Sequence, residues 1–225
     1  MNYRMILRLI CYILRVEAVC LLPSLLISFF SGETGAVIGT AATIVISTLL
    51  SLTSFLLPPR DKQISAREGF LSVALCWVVV SLIGALPFYI SGAVPSYIDC
   101  LFETVSGFTT TGASILTDIE AMPMGLLYWR SFTHWLGGMG VLVFLLAVIP
   151  MGKGKNSLLH VMRAESPGPQ VDKLVPKLQD SAKILYAIYI GLTLLQIVLL
   201  LLGGMPLFDS VTTAFGTAGT GGFGI

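Results

Sequence analysis

Long apolar runs separated by short polar or glycine-rich breaks organise the chain from end to end. The first runs from Leu7 to Phe30, the second from Ala36 to Leu57 and the third from Gly69 to Ile90. Each is close to or above the ~20 residues that a helix needs to cross the hydrocarbon of a bilayer. Met124–Ile149 and Ile184–Leu202 read as a fourth and a fifth span. Two further segments are too short for that role. One starts at Pro95-Ser96, where proline tolerates the first helical turn and serine can cap it, and ends at Phe108. At 1.5 Å per residue it covers ~18 Å, roughly half a bilayer. The other opens at Pro206 and ends at Phe215.

Both short segments deliver the chain into runs of Thr and Gly. These are Phe108-Thr109-Thr110-Thr111-Gly112-Ala113-Ser114 and Phe215-Gly216-Thr217-Ala218-Gly219-Thr220-Gly221-Gly222-Phe223. At membrane depth an irregular backbone is tolerated only where protein buries it or where it lines a water-filled cavity. Glycine allows unusual dihedrals and close approach to a ligand, and carbonyl oxygens can replace an ion's hydration shell. One such run alone reads as a turn between helices; two in the same relative position favour a filter. The half-helix presents its partial negative end to Thr109–Ala113, which suits a cation better than an anion. Aligning Gly112 with Gly221 superposes two units of span, proline-started half-helix and Thr/Gly loop. In that alignment Phe108 and Phe215 match only if two residues are inserted in the second loop.

Composition narrows the class. Of 225 residues 55% are apolar and 11% charged, against about 25% charged in soluble domains, which points to a membrane protein. A net charge of +1 carries no nucleic-acid signal. Cys11, Cys20, Cys76 and Cys100 lack metal-ligand spacing, and His134 and His160 are too far apart for a catalytic cluster. Gly216–Gly224 resembles a phosphate loop only superficially, since no Lys follows and no strand precedes it. A membrane enzyme using His134 with Asp or Glu would leave the repeat unexplained, so no enzyme and no cofactor are expected.

Arg4 and Arg8 before the first run could mark a signal peptide, but Arg15 and Glu17 interrupt the run and no small-residue cleavage site follows. It reads as a retained anchor whose charges reach the headgroups. Arg130 reads as an interfacial anchor, and His134 as a satisfied helix-contact histidine. Gly137-Gly138-Met139-Gly140 reads as a place where another backbone packs closely. Every Lys and Arg except Arg130 lies in the N-terminus, the loop at 58–68 or the connector at 151–183. The remaining turns carry Glu33, Asp99, Glu103, Asp118, Glu120 and Asp209. Basic loops stay cytoplasmic, which places the N-terminus inside and opens both Thr/Gly loops outward. The acidic outer mouth either concentrates cations or is a solvated face left acidic by that asymmetry.

Four motifs occur in order: Phe102-Glu103-Thr104-Val105-Ser106-Gly107-Phe108-Thr109-Thr110-Thr111-Gly112-Ala113, Arg130-Ser131-Phe132-Thr133-His134-Trp135-Leu136-Gly137-Gly138-Met139-Gly140, Ala164-Glu165-Ser166-Pro167-Gly168-Pro169, and Thr217 to Phe223. With them the whole chain resembles the TrkH/TrkG/KtrB superfamily of potassium transporters. The resemblance implies an all-α polytopic membrane protein of the bacterial inner membrane, with repeated helix–pore loop–helix units preceded by two extra transmembrane helices. Residues 1–68 would hold the extra helices, 69–150 the first repeat, 151–183 a cytoplasmic connector, and 184–225 an incomplete second repeat.

Carried over by position, Thr110, Thr111, Gly112 and Ala113 would supply first-loop ion contacts, and Gly219, Thr220, Gly221 and Gly222 those of the second. Potassium is then the substrate, held by backbone carbonyls without covalent chemistry. In this superfamily a Ser in place of the filter Gly goes with sodium passage, so Gly112 implies potassium. A sodium or mixed-cation version and a non-transporting accessory subunit stand as alternatives. The resemblance also implies a homodimer beside a cytosolic nucleotide-binding regulatory subunit of the TrkA type, with the connector as the regulatory contact. A full family member carries four repeats, so the chain reads as an N-terminal fragment.

Overall fold

The computed structural model describes residues 3–56, 66–140 and 178–224, and among them every regular element is a helix. The expected all-α membrane architecture is borne out. Among the described residues four helical stretches are long and apolar enough to cross a membrane: Tyr3–Phe30, Thr34–Leu52, Glu68–Ile90 and Lys183–Leu202.

The first stretch is broken once. Helix α1 (Tyr3–Cys20) gives way at Leu21 to α2 (Leu22–Phe30), where Pro23 removes an N–H and its ring crowds the preceding turn. The same device recurs between α4 (Ala66–Gly84) and α5 (Leu86–Ile90), at Ala85 ahead of Pro87. Between these pairs lies α3 (Thr34–Leu52), which ends in a 3-10 turn, Thr53–Leu56. The half-length helix α6 (Tyr97–Phe108) follows, its first turn capped by Ser96, whose hydroxyl accepts the Asp99 N–H at 3.4 Å. Beyond the first Thr/Gly loop come α7 (Met124–Gly138), α8 (Leu178–Leu202) and α9 (Leu207–Ala218). The fourth span, expected as one run from Met124 to Ile149, has its helix end at Gly138, ahead of Gly140 with φ of +67°. Residues 141–149 and the connector as far as 177 lie outside the described residues.

Helix α3 shows how an apolar solvent inverts the usual pattern. Ala36, Gly39, Thr40, Thr43, Ser47 and Ser51 are buried, while Ile38, Val45 and Leu49 face outward. Lipid is as apolar as leucine, so association is driven by close packing of small residues. Thr40 and Thr43 turn their hydroxyls back to the carbonyls of Ala36 and Gly39 at 2.7 and 2.8 Å, which keeps those polar atoms satisfied inside the bundle. A Cβ at Gly39 would stand 2.6 Å from the Pro87 carbonyl oxygen, so α5 rests directly on the α3 backbone. Helix α2 meets α7 in the same way. Gly125 fits between Ser24 and Ser28, and the Ser24 hydroxyl donates to the Gly125 carbonyl at 2.6 Å. The Glu33 carboxylate accepts the Met124 and Gly125 N–H groups at 2.7 and 3.3 Å, placing an anion at the positive end of α7.

Glu17 does not reach the headgroups as expected. Glu17 is 3% exposed and borders a small cavity lined by Ile13, Val80, Phe108 and Leu136. Arg15 donates to the Ser51 carbonyl at 3.0 Å and to the Ser54 hydroxyl, so its charge is taken up by the C-terminal end of α3. Packing of α4 against α1 covers Glu17, which lies against Gly84 and Val80.

Replacing Gly39 by Val should separate α3 from α5 and lower the stability of the detergent-solubilised protein by about 1–3 kcal/mol, the range for overpacked interiors. Gly191→Ala, at a site with nothing within 4 Å of the added Cβ, should leave it unchanged. Thermal unfolding followed by size-exclusion chromatography separates the two cases.

Candidate functional site

The two half-length helices repeat one backbone course at a constant offset of 110 residues. Tyr97 corresponds to Leu207 and Phe108 to Ala218. The N–H groups of Thr109, Thr110 and Thr111 return to Val105, Gly107 and Ser106 at 2.9–3.0 Å; those of Gly219, Thr220 and Gly221 return to Phe215, Thr217 and Gly216 at 2.9–3.1 Å. Thr110 and Gly112 have φ of +54° and +75°, and Thr220 and Gly222 have +59° and +76°. Gly112 therefore corresponds to Gly222, and no residue is inserted. The sequence alignment of Gly112 with Gly221 is corrected by one position. Thr110, Thr111, Gly112 and Ala113 pair with Thr220, Gly221, Gly222 and Phe223, while Gly219 pairs with Thr109 at the helix cap. Phe215 was the misleading marker: α9 continues through Thr217 and Ala218, so Phe215 matches Val105.

This course has an electrostatic consequence. A trans peptide holds its N–H and C=O on opposite sides. With the N–H groups turned back to the helix, the carbonyls of Thr109 and Thr110 and those of Gly219, Thr220 and Gly221 point away from it. Left-handed residues alternate with right-handed ones, which aligns successive peptide groups instead of alternating them. Among the described residues the carbonyls from Thr109 to Gly112 and from Gly219 to Gly222 accept no hydrogen bond. The loops also touch. Gly112 lies against the Gly221 carbonyl oxygen, in a position where any Cβ would collide with it. Unpaired carbonyls at the C-terminal ends of two helices are suited to holding a cation.

Helix α7 carries both loops. Arg130, His134 and Gly138, four residues apart on one face, contact the second loop; Thr133 and Gly137 on the adjoining face contact the first. Gly137 packs on the Phe108 carbonyl and Gly138 on the Gly219 backbone, the close approach that the glycine run suggested. Gly107 in turn leaves room for the Thr133 hydroxyl.

Arg130 and Glu103 join these parts. The Arg130 Nε–Glu103 Oε1 distance is 2.6 Å, with the two side chains 2% and 1% exposed. Glu103 also accepts the Ser114 hydroxyl at 2.9 Å and the Ile115 N–H at 3.0 Å, immediately beyond the first loop. Arg130 donates to the Gly224 carbonyl at 3.1 Å and stands 3.6 Å over the Phe223 ring, beyond the second. Arg130 is thus no interfacial anchor, and Glu103 adds nothing to an acidic outer mouth. Long-range pairing reverses both readings. An unpaired Glu and an unpaired Arg in apolar helices, 27 residues apart, were the available signal, since charges at such depth generally pair. Glu33, spent on α7, likewise leaves the set of free outer acids, and Phe223 had been read only as part of a motif. His134 is fully buried, and its ring nitrogens have no hydrogen-bond partner, so it is not the satisfied histidine expected.

Comparison with known proteins gives a consistent outcome. Residues 36–225 match the model of the TrkH family, described as a cation transport protein. The chain is 38% identical over 231 aligned residues to the Trk system potassium uptake protein TrkH of Halomonas elongata, covering 99% of this chain and 46% of the relative. It is 39% identical over 191 residues to the protein of that name from Escherichia coli K12, covering 82% of this chain and 39% of the relative. The crystal structure of the potassium transporter TrkH from Vibrio parahaemolyticus superposes with a TM-score of 0.77 at 29% identity, over 96% of this chain and 42% of that one. The chain thus spans about half the length of the curated relatives it matches. A family match over most of the residues, together with the shared fold, places this chain in the TrkH cation transport protein family.

Proposed function

We propose that the chain supplies two selectivity-filter loops of a protein that takes up potassium across the bacterial inner membrane. The observation that carries this reading is the doubled loop: at an offset of 110 residues, two half-helices end in the same left-handed alternation and turn unpaired carbonyls away from their helices. Thr110, Thr111 and Gly112 with Thr220, Gly221 and Gly222 are the ion contacts in this reading, and Ala113 and Gly219 flank them. Potassium uptake by the named relatives supports the choice of ion, and the glycine at 112 favours it over a sodium or mixed-cation path. Residues 69–150 and 184–225 act as repeats behind the helices of 1–68.

The basic N-terminus and the loops at 58–68 and 151–183 support a cytoplasmic N-terminus, with both Thr/Gly loops opening outward. A homodimer with a TrkA-type nucleotide-binding subunit completes the proposal, the connector at 151–183 being its contact. Deleting Ser166–Gln170 should then abolish nucleotide dependence of flux in the reconstituted complex; unchanged dependence would remove the connector from that role.

Gly112→Ser places a side chain where φ is +75° and where the Gly221 carbonyl stands. In the complete transporter it should reduce potassium-over-sodium preference tenfold or more, read as rubidium uptake in competition with sodium in a potassium-deficient strain. Unchanged selectivity would sink the filter assignment.

Glu103→Gln leaves Arg130 buried without its anion and should cost about 3–5 kcal/mol, with loss of uptake. The double variant Glu103→Gln/Arg130→Met should recover part of that stability without recovering uptake. Single and double variants that add independently in a thermal-denaturation cycle would show that the pair does not couple the two loops.

A further inference from the structure

One residue beside the second loop has no role in the reading above. His134 is fully buried on α7, and neither ring nitrogen has a hydrogen-bond partner. The Ser106 backbone is the polar group that faces the ring, without a hydrogen bond of normal geometry, so packing contributes to its position. Its ring centroid lies 3.8 Å from that of Phe223. A Cβ built on Gly221 would collide with the imidazole at Nε2, Cδ2 and Cε1, and one on Gly219 with the His134 carbonyl oxygen. His134 therefore meets the second loop at three successive odd positions, Gly219, Gly221 and Phe223. Gly221 also presents its carbonyl oxygen to Gly112. The imidazole, Gly221 and Gly112 thus form a chain of contacts from α7 through one loop to the other.

We propose that His134 is a positioning residue that sets how far the second loop advances toward the first, and thereby the size of cation the loops accept. The inference rests on the filter reading given above. The ring is a rigid spacer: it occupies the space behind Gly221, and glycine at 221 is the matching absence of a side chain. Shrinking the ring lets the Gly221 carbonyl retreat from Gly112, while enlarging residue 221 drives it forward. Discrimination between cations of different radius is then the property that His134 controls, with the electrostatic attraction of the carbonyls left in place. On the first loop the corresponding residue is Thr111, and the α7 contacts there fall instead on Gly107, Phe108 and the Thr110 methyl group, through Thr133 and Gly137. The spacer belongs to the second loop.

The test uses the complete transporter in a potassium-deficient strain, with rubidium uptake measured against rising sodium. His134→Ala should lower rubidium-over-sodium preference tenfold or more, with KM for rubidium raised further than the maximal rate falls, at normal membrane abundance. Gly221→Ala should abolish uptake, and Gly221→Ala/His134→Ala should restore it in part, because the added methyl occupies space vacated by the ring. Unaltered selectivity in His134→Ala would overturn the proposal. If His134→Ala fails to accumulate, the double variant decides: no recovery over Gly221→Ala also overturns it. Gly112→Ser keeps the two readings apart. If it changes selectivity while His134→Ala does not, only the spacer falls; if neither does, the filter reading falls with it.

Discussion

The buried ion pair of Arg130 and Glu103 holds together parts of the chain that are distant in sequence. Arg130 and Glu103 are almost fully enclosed, where the attraction between opposite charges is weakly screened but the loss of hydration is large. Such a pair is tolerable when the remaining donors and acceptors are also used. Here Glu103 takes a hydroxyl and an amide just past the first loop, and Arg130 gives a hydrogen bond to Gly224 and covers the Phe223 ring just past the second. The pair therefore fastens the exits of both loops to the half-helix α6 and to α7. Irregular backbone needs this kind of support in a membrane, because no water stands ready to satisfy a group that drifts.

Helix α7 is the common template for the two loops, and its glycines explain the closeness of the fit. Gly137 and Gly138 admit the backbones of Phe108 and Gly219 directly, while Thr133 fits against Gly107 from the other side. Two adjoining faces of one helix thereby set two loops in fixed relation, and the loops meet at Gly112 and the Gly221 carbonyl. The aromatic residues around them fill the larger gaps. Trp129 stands edge-on to Phe108 and donates to the Gly84 carbonyl at 2.9 Å, which links the α4 break to the end of α6.

The rest of the bundle follows membrane rules. Small and hydroxyl residues face inward on α3, leucines and isoleucines face outward, and breaks fall at Pro23 and Pro87. Helix α8 carries little buried surface and joins the bundle through Tyr189 and Thr193, which bond to the Trp135 carbonyl and indole at 3.0 and 3.1 Å. Within the TrkH family this is the portion of the fold shared over 96% of the chain with the Vibrio parahaemolyticus structure.

Legible in the sequence alone are the membrane class, most of the long helices, the two half-length helices and the Thr/Gly loops after them. Each of these rests on local quantities: the length of an apolar run, a proline at a helix start, or a glycine where the backbone must turn. Even the family resemblance lay in contiguous motifs. Which groups meet is fixed by the packing of the folded chain. The pairing of Arg130 with Glu103, the burial of Glu17, the use of Glu33 at the start of α7 and the contact of His134 with Gly221 join residues far apart in the chain. No periodicity encodes them. The repeat register was also settled in three dimensions, because Phe215 imitates Phe108 in sequence whereas the hydrogen bonds of the helix ends pair Phe108 with Ala218. Hydrophobic pattern reports how a segment faces its solvent; contacts between segments depend on packing, which is a property of the whole fold.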